Sequence, residues 1–282
     1  TTEIYTLSLH DALPILQRPD VISSHLNRAS LAAGLLGRIC QIPCVSHIHG
    51  LNKQSYYRFS DSLIAVSNAV KNHIVAQNGD LVNTTVITNR IDRPALAPKK
   101  FPGKPLRLVI TAKLHKNKGH LWALEAIADS IGQVGDIRID ILGEGPERAA
   151  LEKYCRDSCL KNLVRFHGFV SEPEAFYDRI DIALLPSLGE GIPLSLLEAM
   201  RWGIPCVATN IGGIPEIVEN GKNGILIEPG KAEALIGAIL RIRSDYERFS
   251  AAAVEHFKDI NNYADMIDAF ENLLLQTIRK ER

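Results

Sequence analysis

The chain lacks an excess of charge of either sign: 32 Lys and Arg stand against 32 Asp and Glu among 282 residues. It therefore has no overall basic field of the kind that drives non-specific nucleic-acid binding, and no nucleic-acid partner is expected. Long hydrophobic runs are missing too. No stretch approaches the roughly 20 consecutive apolar residues of a membrane-spanning helix, and no basic segment leading into a short apolar one marks a signal peptide. The expected location is the cytoplasm. The five cysteines fall as Cys40/Cys44, Cys155/Cys159 and a lone Cys206. They lack the tight Cys-x2-Cys pairs with further Cys or His partners that zinc sites use, so reduced, partly buried thiols are expected. Internal repeats and low-complexity tracts are absent.

What is present reads as globular. Hydrophobic residues make up 46% and charged residues 23%, enough apolar material for a sizeable core, and at about 150 residues per domain the length favours two domains. Residues 1–100 carry ten basic and six acidic side chains, and residues 101–282 carry 22 and 26, a modest split that suits two domains with different jobs. Residues 1–15, from Thr1 to Ile15, match codon by codon the in-frame translation of a common short-read sequencing adapter. Such a segment is set aside from fold reasoning. His10 and Asp11 are therefore given no catalytic role, and natural sequence is expected to begin near Leu16, partway into a domain.

From there, short apolar runs rich in β-branched residues alternate with segments of helical period, the pattern of parallel-sheet α/β architecture. Strands are expected at residues 44–48, 61–66 and 86–88, a helix at 29–39, and a second helix capped by Ser67. Residues 93–105 hold four prolines and a glycine and read as a linker. A fresh series follows, with strands at 106–111, 137–142, 164–167, 182–185, 205–208 and 224–227. The last helix places Tyr263, Met266, Ile267, Phe270, Leu273, Leu274 and Ile278 along one stripe that must pack against something. The expected division is 1–15 adapter-derived, 16–100 a partial first domain, 101–262 a second domain, and 263–282 a helix returning to the first.

The most informative stretch is Pro186 to Met200, Pro-Ser-Leu-Gly-Glu-Gly-Ile-Pro-Leu-Ser-Leu-Leu-Glu-Ala-Met. It follows a buried strand and opens a helix near Pro193, which places it at the carboxyl edge of a parallel sheet, where open α/β sheets bind ligands. Backbone groups from Gly191 to Ser195 sit at a helix start and suit an anion such as a phosphate or sugar phosphate. Glu190 and Glu198 lie close to that amino end, whose dipole favours their ionised forms. As acceptors only, they suit paired hydroxyls of a ribose or a sugar.

Glu190-x7-Glu198 with Gly-Ile-Pro inside it, followed by Gly-Ile-Pro-Cys-Val-Ala-Thr-Asn-Ile-Gly-Gly-Ile-Pro-Glu-Ile-Val-Glu-Asn-Gly at 203–221, resembles the paired-glutamate motif of the family-4 retaining glycosyltransferases of GT-B fold. The resemblance extends with varying strength from about Leu16 to the final helix. It implies two Rossmann-like parallel-sheet domains, the first incomplete in this chain. It also implies that Glu198 holds the nucleotide ribose and Glu190 contacts the donor sugar. Backbone groups of Gly191, Ile192, Pro193 and Leu194 would surround the sugar and phosphates, with Phe169 and Val170 near the base. Ala112-Lys113-Leu114-His115-Lys116-Asn117-Lys118-Gly119 is similar to the family's Gly-Arg-Leu…Lys-Gly segment, whose two cations, here Lys113 and Lys118, neutralise the leaving diphosphate. Lys113 departs from the usual Arg and replaces a bidentate fork with a point charge. His49-Gly50 is similar to the family's strand-end His-Gly, whose imidazole reaches the donor sugar across the interdomain cleft. His47, two residues earlier on the same strand face, competes for that role. Asn89-Arg90-Ile91-Asp92 stands where the family has an Asn-Gly-x-Asp interdomain turn, with Arg90 in the glycine's place. Gly143-x-Gly145 looks like a dinucleotide fingerprint, but Arg148 occupies the third glycine position, so nicotinamide binding is disfavoured.

By resemblance, then, the protein moves a sugar from a nucleoside diphosphate donor to a glycan or lipid-linked acceptor hydroxyl with retention. No metal or other cofactor is expected, since no Asp-x-Asp occurs anywhere in the chain, and peripheral contact with the inner membrane face is expected of polysaccharide-building relatives. Two alternatives remain open. One is a nucleotide-sugar epimerase of the same fold. The other is a catalytically incomplete fragment, because the family's glycine-rich loop and acceptor site lie upstream of Leu16; on that reading the parent protein is the transferase and this chain binds nucleotide.

Overall fold

A computed structural model describes residues 4–6, 19–78, 83–101 and 103–280. His10, Asp11 and Leu16 lie outside the described residues. The chain forms two compact units, Thr1–Arg90 with Asn262–Arg282, and Ile91–Asn261.

The first unit contains a parallel sheet of β1 (Ile4–Thr6), β2 (Val21–His25), β3 (Cys44–Ile48), β4 (Ser62–Ala65) and β5 (Asn83–Val86), in that spatial order. Residues 4–6, set aside in the sequence reading, thus pair as an edge strand, Ile4 opposite Val21. Helix α1 (Asn27–Cys40) and helix α2 (Asn68–Asn78) make the crossovers. Ser67 caps the second by accepting from Val70 N–H at 3.1 Å. Alternation along β2 sends neighbouring residues to opposite faces. Val21 joins Val45, Ile64 and Ile87 against Leu273 and Leu274 of the last helix, whereas Ile22 joins Ala33, Ile42 and Cys44 under α1. Both faces are covered, the one by the last helix and the other by α1. The expected strand at 86–88 instead ends at Val86. Its ladder runs through Asn83, Thr84 and Thr85, whose polar side chains conceal it from a search for apolar runs.

The second unit is a six-stranded parallel sheet. Its strands are β6 (Leu106–Thr111), β7 (Ile137–Leu142), β8 (Val164–Gly168), β9 (Ile182–Leu185), β10 (Cys206–Thr209) and β11 (Gly224–Ile227), ordered β11-β10-β9-β6-β7-β8. From β6 the chain winds outward through β7 and β8, then jumps back to lay β9 beside β6 and winds the other way. Helices α3 (His120–Asp129), α4 (Ile131–Val134), α5 (Arg148–Asp157), α6 (Glu174–Tyr177) and α7 (Leu194–Arg201) fill the connections, α8 (Ala232–Ser244) and α9 (Tyr246–Ile260) follow the last strand, and α10 (Tyr263–Lys280) completes the first unit. One large core gathers Leu108 and Ile110 of β6 with Leu124 and Ile127 of α3, Leu151 of α5 and Ile239 of α8. Helix α7 packs instead on α9.

The proline-rich stretch lies with the second unit, so the expected boundary near residue 100 moves to Ile91. Leu96 N–H donates to Arg201 O at 2.8 Å. Lys99 Nζ donates to the carbonyls of Tyr177, Asp178 and Ile180 at 2.7, 2.6 and 2.8 Å. Prolines deny this stretch a helix or a ladder, yet its remaining donors tie it down. The five cysteines are free thiols, with Cys44, Cys155 and Cys206 buried. Among the described residues no helix is long and apolar enough to cross a membrane.

Candidate functional site

In a parallel sheet the loops leaving two adjacent strands normally diverge only where the winding direction reverses, and the crevice beyond the carboxyl ends of those strands is where ligands enter. Here the reversal falls between β6 and β9. The two loops that leave these strands are the Lys113–Gly119 segment and the Pro186–Pro193 segment, the stretches singled out from the sequence.

The loops are joined to each other. Leu188 N–H donates to Asn117 O at 2.7 Å, and Trp122 Nε1 donates to Pro186 O at 3.0 Å. Gly119, at φ 70°, brings its backbone so close to Pro186 that an added Cβ would lie 1.9 Å from the Pro186 carbonyl oxygen; only glycine tolerates both the angle and the approach. Lys118 Nζ donates to Glu190 Oε1 at 2.7 Å, and Ser187 Oγ donates to the same oxygen at 2.6 Å. Lys118 and Glu190 were assigned to different parts of a donor, and the structure brings them into one ion pair.

Glu198 sits on α7 and is half-buried. The Tyr177 hydroxyl donates to its Oε2 at 3.2 Å and lies 3.5 Å from Thr111 Oγ1 at the end of β6. Burial pushes the Glu198 pKa above the ordinary glutamate value, Tyr177's hydrogen bond pulls it back, and the Glu174 charge adds to the rise. Tyr177 is itself buried and its phenol is raised by that burial and by Glu198, so it remains a neutral donor. Helix α7 starts at Leu194, after Pro193 in an extended conformation. Pro193 has no N–H and Leu196 N–H donates to Pro193 O at 3.1 Å, so the helix-start donors are Leu194 and Ser195, and Gly191 and Ile192, expected among them, precede the helix.

Lys113 is exposed. With Ala112, Gly143, Phe169 and Val170 it lines a cavity of about 280 Å³, so the structure brings Lys113 and Val170 together. Gly143 belongs to this wall for a steric reason: at φ 152°, an added Cβ would lie 2.0 Å from Ala112 O. The Gly143-x-Gly145 pair therefore lets the β7 loop pass under the β6 loop, which accounts for both glycines without a dinucleotide.

Within the first unit, His49 follows β3 and its Nε2 lies 2.9 Å from His25 Nδ1. His47 Nε2 lies 3.2 Å from Ser23 Oγ, and its ring stacks on His25 with centroids 4.0 Å apart. Burial lowers the pKa of all three, to about 3 for His47, with the neighbouring imidazoles adding to the fall for His47 and His49.

The sequence reading missed Tyr177 and Ser187. Ser187 lay in the quoted motif three residues before Glu190. Tyr177 had no signal: it comes from a four-residue helix after β8 and meets Glu198 only through the fold.

Residues 105–245 match the family model described as Glycosyl transferases group 1, and residues 5–94 match Glycosyltransferase Family 4. An amylovoran biosynthesis glycosyltransferase of Erwinia amylovora is 32% identical over 216 residues, covering 70% of this chain and 51% of the relative. A putative colanic acid biosynthesis glycosyltransferase of Salmonella typhimurium is 36% identical over 192 residues, covering 64% and 47%. The chain thus spans about half the length of these curated relatives. Among solved structures, Anabaena HepE in complex with UDP-glucose superposes with a TM-score of 0.83 at 21% identity, over 93% of this chain and 80% of that one. This likeness shows the fold, two parallel-sheet α/β units of GT-B type.

Proposed function

The chain belongs to the glycosyl transferases group 1, and from that premise we propose that its second unit seats a nucleoside diphosphate sugar at the β6/β9 reversal for transfer with retention to an acceptor hydroxyl of a glycan or lipid-linked glycan. The observation that carries this reading is the Lys118–Glu190 pair, 2.7 Å long and largely shielded from solvent, set at the one place in the sheet where loops of adjacent strands part.

Breaking the bond between sugar and diphosphate builds negative charge on the departing oxygens, and fixed cations aimed at them lower the barrier. Lys118 and Lys113 supply that charge from one loop, and the α7 start adds backbone donors from the other. Glu198, steadied by Tyr177, accepts from the ribose hydroxyls, and Val170 borders the base. Glu190, released from Lys118 as the diphosphate takes the ammonium, accepts from the donor sugar. Because lysines neutralise the leaving group, transfer proceeds without a metal ion at the diphosphate, and saturating EDTA leaves its rate unchanged.

HepE is described with UDP and with UDP-glucose, which makes UDP the first nucleotide to test. Isothermal titration of the chain with UDP, GDP and ADP is expected to give one-to-one binding for at least one of them; heat from none would remove the reading. Product analysis with the bound donor separates transfer from epimerisation, since an epimerase turns over donor without acceptor. The family match and the curated relatives favour transfer.

A further inference from the structure

Three imidazoles converge at the carboxyl end of the first sheet. His25 closes β2, His47 lies opposite it in the β3 register, and His49 follows two residues later on the same face as His47. One ring nitrogen from each lies within 4.8 Å of the others. The His25 Nδ1 to His49 Nε2 separation is 2.9 Å, so two ring nitrogens point at one small volume that a single proton now bridges. No part of the proposed transfer reaction uses His25 or this convergence.

We propose that His25, His47 and His49 form a binding site for a borderline transition-metal cation of the Zn²⁺, Co²⁺ or Ni²⁺ class.

Neutral imidazole is a preferred ligand for these ions and a poor one for Mg²⁺ or Ca²⁺, which take oxygen ligands. Bonds of about 2.0–2.1 Å in a tetrahedron place ligand nitrogens about 3.3 Å apart. The existing spread of 2.9 to 4.8 Å brackets that figure, so rotation of side chains, without movement of strands, closes the set. One ring is already held in place, that of His47, by Ser23 Oγ at 3.2 Å and by the edge of Phe270, with centroids 5.2 Å apart. The imidazole that now donates to its neighbour takes its other tautomer when it ligates, and no net proton is lost. A cavity of about 540 Å³, lined by His47, His49, Gly50, Asn52 and Arg28 among others, opens beside the cluster. It leaves a fourth coordination position for water or an anion, and the exposed Arg28 would pair with an anion there.

The resemblance also places His49 or His47 beside a donor sugar, but the metal assay needs no donor, so the site is tested apart from the nucleotide reading. Titrating Co²⁺ into the full chain at pH 7.5 is expected to give visible ligand-field bands that saturate at one equivalent, that Zn²⁺ displaces, and that excess Mg²⁺ does not. His25→Ala and His47→Ala are each expected to weaken binding at least about tenfold. His49→Ala, at an exposed ring, is expected to do the same without disturbing the thermal melt. In the unaltered chain, Zn²⁺ is expected to shift three histidine ring resonances together. Absence of a saturable one-to-one complex overturns the proposal. So does binding that survives all three substitutions, or that disappears when the cysteine thiols are blocked.

Discussion

Lys118 Nζ and Glu190 Oε1 lie 2.7 Å apart, so the cation and the carboxylate at the sheet reversal are partners before any donor arrives. On the proposed reading a diphosphate competes with Glu190 for the ammonium. Lys118→Ala is expected to weaken UDP binding about tenfold, as loss of a charge-assisted hydrogen bond implies. Glu190→Gln removes the competitor and is expected to leave UDP affinity equal or higher while sugar transfer falls. Calorimetry with UDP, alongside a transfer assay, reads both; equal losses of UDP affinity in the two variants would contradict the competition.

On the proposed reading Glu198 accepts from the ribose hydroxyls most strongly as a carboxylate, and burial raises its pKa. UDP affinity is therefore expected to weaken on acidification at a higher pH than an ordinary glutamate would give. Tyr177→Phe removes the hydroxyl that favours the ionised form and moves that midpoint higher still. Glu198→Gln leaves only the dependence that the UDP phosphate itself contributes at about pH 6 and binds about tenfold more weakly at neutral pH. UDP dissociation constants measured from pH 5 to pH 8 test all three.

Asp181 gives a pH effect on stability with the opposite sense to a surface ion pair. Its buried carboxylate accepts from Arg107 N–H at 2.7 Å. Burial, offset in part by that hydrogen bond and by Lys99, pushes its pKa from 3.8 to about 6. The folded state holds this proton more tightly than the unfolded chain does. The contribution to stability is thus greatest below the unfolded value and declines as pH rises from about 4 to about 6. Asp181→Asn, which keeps an acceptor oxygen, is expected to flatten urea-melt stability across that window.

Gly119→Ala tests the junction of the two loops. Its Cβ would lie 1.9 Å from Pro186 O at a positive φ, and the loops would have to part. A loss of roughly 2–4 kcal/mol in chemical denaturation is expected, together with weaker UDP binding.

Much of this was readable in the sequence where burial is two-sided. The strands Leu106–Thr111 and Ile182–Leu185 are apolar runs because helices cover both faces, and their loops carry Glu190 and Lys118 in plain view. Strand Asn83–Val86 was displaced because its residues are polar, and the 93–105 linker hid its attachment because lysine and backbone hydrogen bonds leave no periodic trace. The Tyr177–Glu198 contact and the meeting of His25 with His49 depend on register between strands and on a four-residue helix. Such proximities arise only once the sheet is assembled, so no spacing along the chain announces them.

The β11-β10-β9-β6-β7-β8 order gives the site a mechanical setting as well as an address. Its two loops hang from the innermost pair of strands, each laddered on both sides, whereas β8 and β11 are edges. Fraying begins at edges, so partial opening of the sheet reaches Lys118 and Glu190 last. Insertions after β11 should be absorbed with little harm, while even single additions after β6 or β9 would unseat the pair.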